Sequence, residues 1–356
     1  MTTETSLKPV DVYSLKNIKF PELPLFIISS LIFLNVGILL GSLNTLFWGN
    51  ETTGIAWIDN LVTSKIHQTH WTSTLLGGIS ILMLGQIYFF FSQISEKKNP
   101  LHLGTIVVLI SWLTGVISSY GVAWREWDKN LVIIPLQIAI ALFLIIILVF
   151  FLDSNFRKNA KNHPALLYFL SACIWLSLAV FWRLDLELGS LDRVFLTLYI
   201  YGFFSLTLFG SLTFILPIMT EQRPKSNSSV YLTLFLLNAA AVVIGYGDYL
   251  LEETDKKYFF IDFIGPFLWG FAAFLFILYV FDLIYKSGVS PYLVALLIAL
   301  SMFSFFVVDT LMKNLFEQWV SKRHFHFMFI GTLVMTIVAI GSRLIVMQYD
   351  PVTQKL

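Results

Sequence analysis

The sequence predicts an all-α fold, a polytopic transmembrane helix bundle of about ten spans. Three observations predict it. Only 13% of the 356 residues are charged, while 57% are hydrophobic and the mean hydropathy is +0.78; soluble domains carry about 25% charge. Ten stretches are long and apolar enough to cross a bilayer core, which takes roughly 20 residues at 1.5 Å rise each. Every break between those stretches carries charge or turn chemistry.

In chain order, a polar, lysine-bearing segment (1–23) comes first. No small-residue cleavage site follows the first apolar run, so that run is expected to stay as a helix rather than leave as a signal peptide. The spans are expected at 24–48, 69–93, 101–124, 131–152, 164–182, 193–219, 230–250, 259–285, 291–312 and 325–348. Glu96-Lys97-Lys98-Asn99-Pro100, Arg157-Lys158-Asn159, Gln222-Arg223-Pro224-Lys225 and Ser287-Gly288 before Pro291 mark breaks. A tail, 349–356, follows the last span. No linker is long enough to mark a second domain, so 24–348 reads as one transmembrane helical domain.

Lysine and arginine counts set the expected orientation. The N-terminus and every second loop hold 13 of the 23 basic and 8 of the 22 acidic residues; the other side holds 10 and 14. The balance of +5 against −4 puts the N-terminus in the cytoplasm, in an integral protein of a prokaryotic cytoplasmic membrane. Composition also excludes classes. A net charge of +1 without a basic cluster gives no footprint for nucleic acid. One cysteine, Cys173, excludes an internal disulfide, a Cys-rich zinc site and an iron–sulfur cluster. Ser73, Thr74 and the other small hydroxyls show no nucleophile–base arrangement, and no phosphate-cradling glycine loop occurs.

The histidines carry the functional clue. Four of six sit at the mouths of two spans: His67 and His70 open span 2, and Arg323-His324-Phe325-His326 opens span 10. In the expected orientation both pairs lie near the outer face. An imidazole entering an apolar medium is costly unless it finds a partner. A lone histidine at a helix end is ordinarily just solvated. Four on two helix starts at one depth point instead to metal or haem iron, held by His70 and one of His324 and His326. His324 and His326 are about 200° apart on a helix and cannot share one iron; His70 with His326 is the natural bis-histidine pair. His67, a turn earlier, reaches a propionate or is solvated. Arg323, Arg125 and Arg183 are candidates to neutralise a propionate. Phe325, Phe327, Trp71 and Trp124 supply either porphyrin walls or an interfacial aromatic belt.

A faint repeat accompanies these residues. His70 precedes Gly85, Phe195 precedes Gly210 and His326 precedes Gly341, each by 15 residues. The starts are 125 and 131 residues apart, or four helices each time. Three copies of a four-helix unit would place spans 2, 6 and 10 equivalently around a pseudo-threefold axis.

The segment HFHFMFIGTLVMTIVAIGSRLI resembles helix 10 of the catalytic subunit (subunit I) of haem–copper oxidases and nitric oxide reductases. HWTSTLLGGISILMLGQIYFF is similar to helix 2 of the reductase branch. The GSRL ending and LYIYGFFSLTLFGSLTFILP look like NnrS-type membrane proteins, which are linked with nitric oxide stress. The resemblance implies a truncated subunit I-like bundle. It implies His70 and His326 as low-spin haem ligands and His324 as ligand of a second haem. The family's copper or non-haem iron ligands are histidines on helices 6 and 7, and here both spans lack histidine. No copper, and no oxygen- or NO-reducing centre, is therefore expected.

Other polar groups have plainer readings. Asp262, Asp282, Asp309, Tyr246, Asp248 and Tyr249 are expected in the headgroup region. Asp185 and Glu187 are expected in loop salt bridges with Arg183 and Arg193. Asn238 is expected to make an interhelical hydrogen bond. The resulting functional expectation is one haem b, or two, in electron transfer within a respiratory complex. The chain would then be an oxidoreductase subunit linked to quinol or cytochrome c, with other subunits and membrane lipid as partners. An acidic outer face would dock a basic partner such as a cytochrome c. Two alternatives stay open: an NnrS-like haem protein that binds nitric oxide for sensing or detoxification, and a cofactor-free scaffold or transporter subunit.

Overall fold

The computed structural model describes residues 22–47, 65–95, 102–125, 127–160, 163–182, 184, 193–220, 222, 227–254, 259–287, 294–299, 301 and 304. Among them the regular structure is all helical, with no strand. Eight helices are long and apolar enough to cross a membrane. They are span 1 (Leu23–Ser42), span 2 (Gln68–Ser95), span 3 (His102–Arg125), span 4 (Asn130–Leu152), span 5 (Ala165–Trp182), span 6 (Val194–Thr220), span 7 (Ser228–Leu251) and span 8 (Phe263–Tyr285). These are the first eight of the ten expected, with ends within a few residues. The expected span 9 is described only at 294–299, 301 and 304, and span 10 lies outside the described residues.

Spans 2 and 6 form the centre. Nearly all of span 2 and all of span 6 are buried, whereas span 1 is mostly exposed. Ile28, Ile32 and Leu39 of span 1, Ile145 and Leu148 of span 4, and Phe235 and Val242 of span 7 point outward. An apolar exterior of this extent suits hydrocarbon rather than water.

Small residues fix how the helices meet. A Cβ added at Gly85 would lie 2.9 Å from Phe26, at Gly77 2.7 Å from Phe33, and at Gly41 2.6 Å from the His70 ring. Gly37 sits equally close to Thr74. Span 1 thus runs antiparallel to span 2 with one constant register, each glycine admitting a side chain of the other helix. Spans 5 and 6 repeat the device. A Cβ at Gly202 would meet Trp175 at 2.5 Å, and one at Gly210 would meet Tyr168 at 2.8 Å. Gly77 and Gly202, like Gly85 and Gly210, are 125 residues apart, and their aromatic partners are seven residues apart in both pairs.

Two π-helical segments fall at nearly the same offset, Thr72–Ser80 in span 2 and Leu198–Phe204 in span 6. A π segment changes which carbonyls the helix itself bonds, and its serines answer alike. Ser80 Oγ donates to Leu75 O at 3.0 Å, and Ser205 Oγ to Ile200 O at 2.8 Å, each five residues back. Neighbouring helices supply further donors: Tyr199 OH to Leu75 O (2.8 Å), Trp112 Nε1 to Leu76 O (2.7 Å) and Ser30 Oγ to Gly78 O (2.8 Å). Buried carbonyls are thereby satisfied where water is absent. Ser211 Oγ donates to Gln86 Oε1 at 2.9 Å. These two residues are also 125 apart, so spans 2 and 6 touch through matching positions.

Asn238 behaves as expected. Its Oδ1 accepts from Trp175 Nε1 at 2.9 Å, joining spans 5 and 7. Cys173 is free and buried in span 5.

Candidate functional site

The register of span 1 on span 2 delivers a backbone carbonyl to His70. The ring is buried, with 6% of the residue exposed, and Nδ1 lies 2.6 Å from Gly37 O. A carbonyl only accepts, so the bond requires the proton on Nδ1 and leaves Nε2 as the lone-pair nitrogen. Metal-ligating histidines commonly hold this tautomer, with the distal N–H on a carbonyl that orients the ring and raises its basicity. Gly41 lies against the ring edge: its missing Cβ would stand 2.6 Å from Cε1 and 2.9 Å from Nδ1. Glycine at both 37 and 41 is what lets span 1 come this close.

Span 3 braces the same turn of span 2. Trp124 Nε1 donates to Thr69 Oγ1 at 2.9 Å, and Tyr120 OH lies 2.9 Å from Ser73 Oγ. The Trp71 ring is 5.7 Å from the His70 ring, tilted by 52°. Trp71 therefore lies beside the His70 ring, while Trp124 bonds the preceding residue, Thr69.

The remaining candidates fall as follows. His67 lies on the helical turn Lys65–Trp71, but its side chain is outside the described residues. Arg125 ends span 3 and is exposed. Arg183, Arg323, His324, His326, Phe325 and Phe327 lie outside the described residues, as do Asp185, Glu187, Asp309 and the side chains of Arg193 and Asp262. Among the described residues no three His, Cys, Asp or Glu groups converge on a metal position. A haem iron needs only axial ligands from protein, so one buried histidine per side suffices.

Three of the residues expected in the headgroup region differ in burial. Asp282 and Tyr246 are exposed near span ends. Asp248 is buried and accepts a hydrogen bond from Thr197 Oγ1 of span 6. It lies three residues from the end of span 7, and its carboxylate is bonded to span 6 rather than exposed.

Two further histidine environments carry little sequence signal. Glu22, buried just ahead of span 1, is paired through Oε1 with His102 Nδ1 at the start of span 3. His163 lies between the short helix Ser154–Ala160 and span 5, with rings of Phe90 and Phe214 at 5.4 and 5.3 Å. Burial pushes its imidazole down to about 4. The Asn162-His163-Pro164 turn was the available signal for the latter; the former joins residues 80 apart and has none.

No family model, no curated protein and no solved structure matches this chain.

Proposed function

We propose that the chain is a b-type haem membrane protein that carries electrons within a respiratory complex, a divergent relative of subunit I of the haem–copper oxidases without the copper centre. The observation that carries this reading is the Nδ1 bond of buried His70 to the Gly37 carbonyl. In the neutral ring it fixes the tautomer in which Nε2 carries the lone pair, the form in which a histidine ligates iron. The residues fit a ligand histidine: a buried imidazole with its Nδ1 on a backbone carbonyl, seated against Gly41 with the Trp71 ring beside it.

His70 and His326 would hold the low-spin haem from opposing spans, with Arg323 against a propionate and His324 serving a second haem. Bound haem supplies reversible one-electron chemistry. The chain's own residues orient the ligand imidazole through the Gly37 carbonyl and exclude water through the buried bundle. The 125-residue correspondence between spans 2 and 6 supports a four-helix repeat, with span 10 as its third copy around a pseudo-threefold axis. The lysine and arginine balance puts the N-terminus in the cytoplasm and this site near the outer leaflet, facing a quinol or a cytochrome c.

Reduced and CO-treated absorption spectra of the purified protein test the reading. A low-spin b-type spectrum indifferent to CO is expected. A large CO shift would favour nitric oxide binding of the NnrS type. A colourless preparation would leave His70 as a packing residue that ties span 1 to span 2.

A further inference from the structure

Span 1 has two faces, and the bundle uses one of them. Phe26, Ser30, Phe33, Gly37 and Gly41 meet span 2. The other face is exposed, and Ile28, Leu31, Asn35, Ile38 and Ser42 run along it. Those five follow one another at steps of three, four, three and four residues. That is the a/d repeat of a coiled-coil seam, with Ile28, Asn35 and Ser42 at a and Leu31 and Ile38 at d. Such a repeat keeps one narrow stripe turned toward a partner helix.

Asn35 is out of place on a face that meets only lipid. It is the middle residue of the helix Leu23–Phe47, twelve residues from each end, or about 18 Å. The hydrocarbon core of a bilayer is about 30 Å thick, so the exposed carboxamide lies within it. Nδ2 donates to Leu31 O at 2.7 Å, one turn back, and this uses one of the two amide N–H groups. Among the described residues the second N–H and the Oδ1 acceptor have no partner. Lipid tails offer none, and an amide left bare in hydrocarbon is unfavourable. The amide therefore marks a face that another helix covers.

We propose that this seam joins two copies of the chain, span 1 against span 1, through Asn35 of each. Copies in one membrane share an orientation, so their first spans run parallel about a twofold axis along the membrane normal. The twofold sets like residues opposite one another. A carboxamide suits that place because it is its own complement: the second N–H of one donates to Oδ1 of the other, and the reverse. An acid or a base there would meet its own charge. A single asparagine at an a position also fixes the register and oligomer state of a coiled coil, and Ile28 at a with Leu31 at d is the two-stranded choice. The pairing needs no cofactor, so it stands or falls apart from the haem reading.

The test is disulfide trapping of the full chain in liposomes, in a Cys173→Ala background so that each variant carries one cysteine. Leu31→Cys and Ile38→Cys should cross-link into dimers on mild oxidation. Leu25→Cys and Ile32→Cys, at residues exposed but about 90–110° round the helix from the seam, should not. Energy transfer between donor- and acceptor-labelled copies then measures the dilution with lipid at which pairs separate. Asn35→Leu should separate at about tenfold less dilution than the wild type, the scale of an interhelical amide bond in lipid. Cross-linking at 31 and 38 leaves Asn35 in place, so it reads the seam even if the Asn35 variant fails to fold. No cross-link at 31 and 38 would overturn the proposal, whether the face meets lipid or a different subunit. Equal cross-linking at all four positions, or Asn35→Leu pairing as tightly as the wild type, would overturn it too.

Discussion

Gly41→Ala is the sharpest probe of how His70 is held. The new methyl would stand 2.6 Å from His70 Cε1 and 2.9 Å from Nδ1, where ordinary contact begins at 3.4 Å. The ring must retreat by about 0.8 Å, the difference 3.4 − 2.6. The ring is also tethered by its 2.6 Å bond to Gly37 O. A retreat of that size stretches the bond to about 3.4 Å, past the usual N–H···O range. Losing it leaves a buried donor bare, at about 1–3 kcal/mol, and overpacking costs a similar amount. Thermal unfolding in detergent should show Gly41→Ala destabilised on this scale, with bound haem reduced. Leu39→Ala is the control, since Leu39 is 65% exposed on the same helix and should change neither. Wild-type stability and haem content in Gly41→Ala would refute the close seat of span 1 on the imidazole.

Three further outcomes follow from named contacts. Tyr199→Phe removes the hydroxyl that bonds Leu75 O and Ser80 Oγ across spans 6 and 2; a loss of about 1–2 kcal/mol in unfolding free energy is expected. His163 is held well below its ordinary value, at about 4 against 6.5. Below pH 6.5 the unfolded chain takes up a proton that the folded one refuses, so stability should fall as pH drops from 6.5 to 4 and then level off. The full span is about 3 kcal/mol at 1.36 kcal/mol per unit, and His163→Leu should flatten it in a pH series of unfolding curves. Trp175→Phe strips the indole donor from Asn238 Oδ1 and should lower stability by about 1 kcal/mol, a loss that Asn238→Leu in the same background partly restores.

Span positions were legible because burial in a bilayer leaves its mark residue by residue: the expected 193–219 and the observed Val194–Thr220 nearly coincide. The His70–Gly85 and Phe195–Gly210 spacings were legible too. In the structure they are the sites where Phe26 and Tyr168 seat on glycine. The π segments were not, because a change of hydrogen-bond period inside a helix has no composition of its own. Its trace was the pair Ser80 and Ser205, each bonded five residues back. His70 stood out by the cost of an imidazole at a span mouth. Its orientation did not, since that depends on the Gly37 carbonyl and the close approach of Gly41, which only the packed register joins to residue 70. Glu22 with His102, and Thr197 with Asp248, join residues 80 and 51 apart in sequence. Only the packed register reveals such pairs.

The central claim is tested most directly by pyridine haemochrome assay of purified wild-type protein beside His70→Ala, His326→Ala and His67→Ala. The wild type and His67→Ala should bind haem b, and the other two variants should lose it. A colourless wild type, or full haem retention after removal of the residue 70 imidazole, would contradict the account.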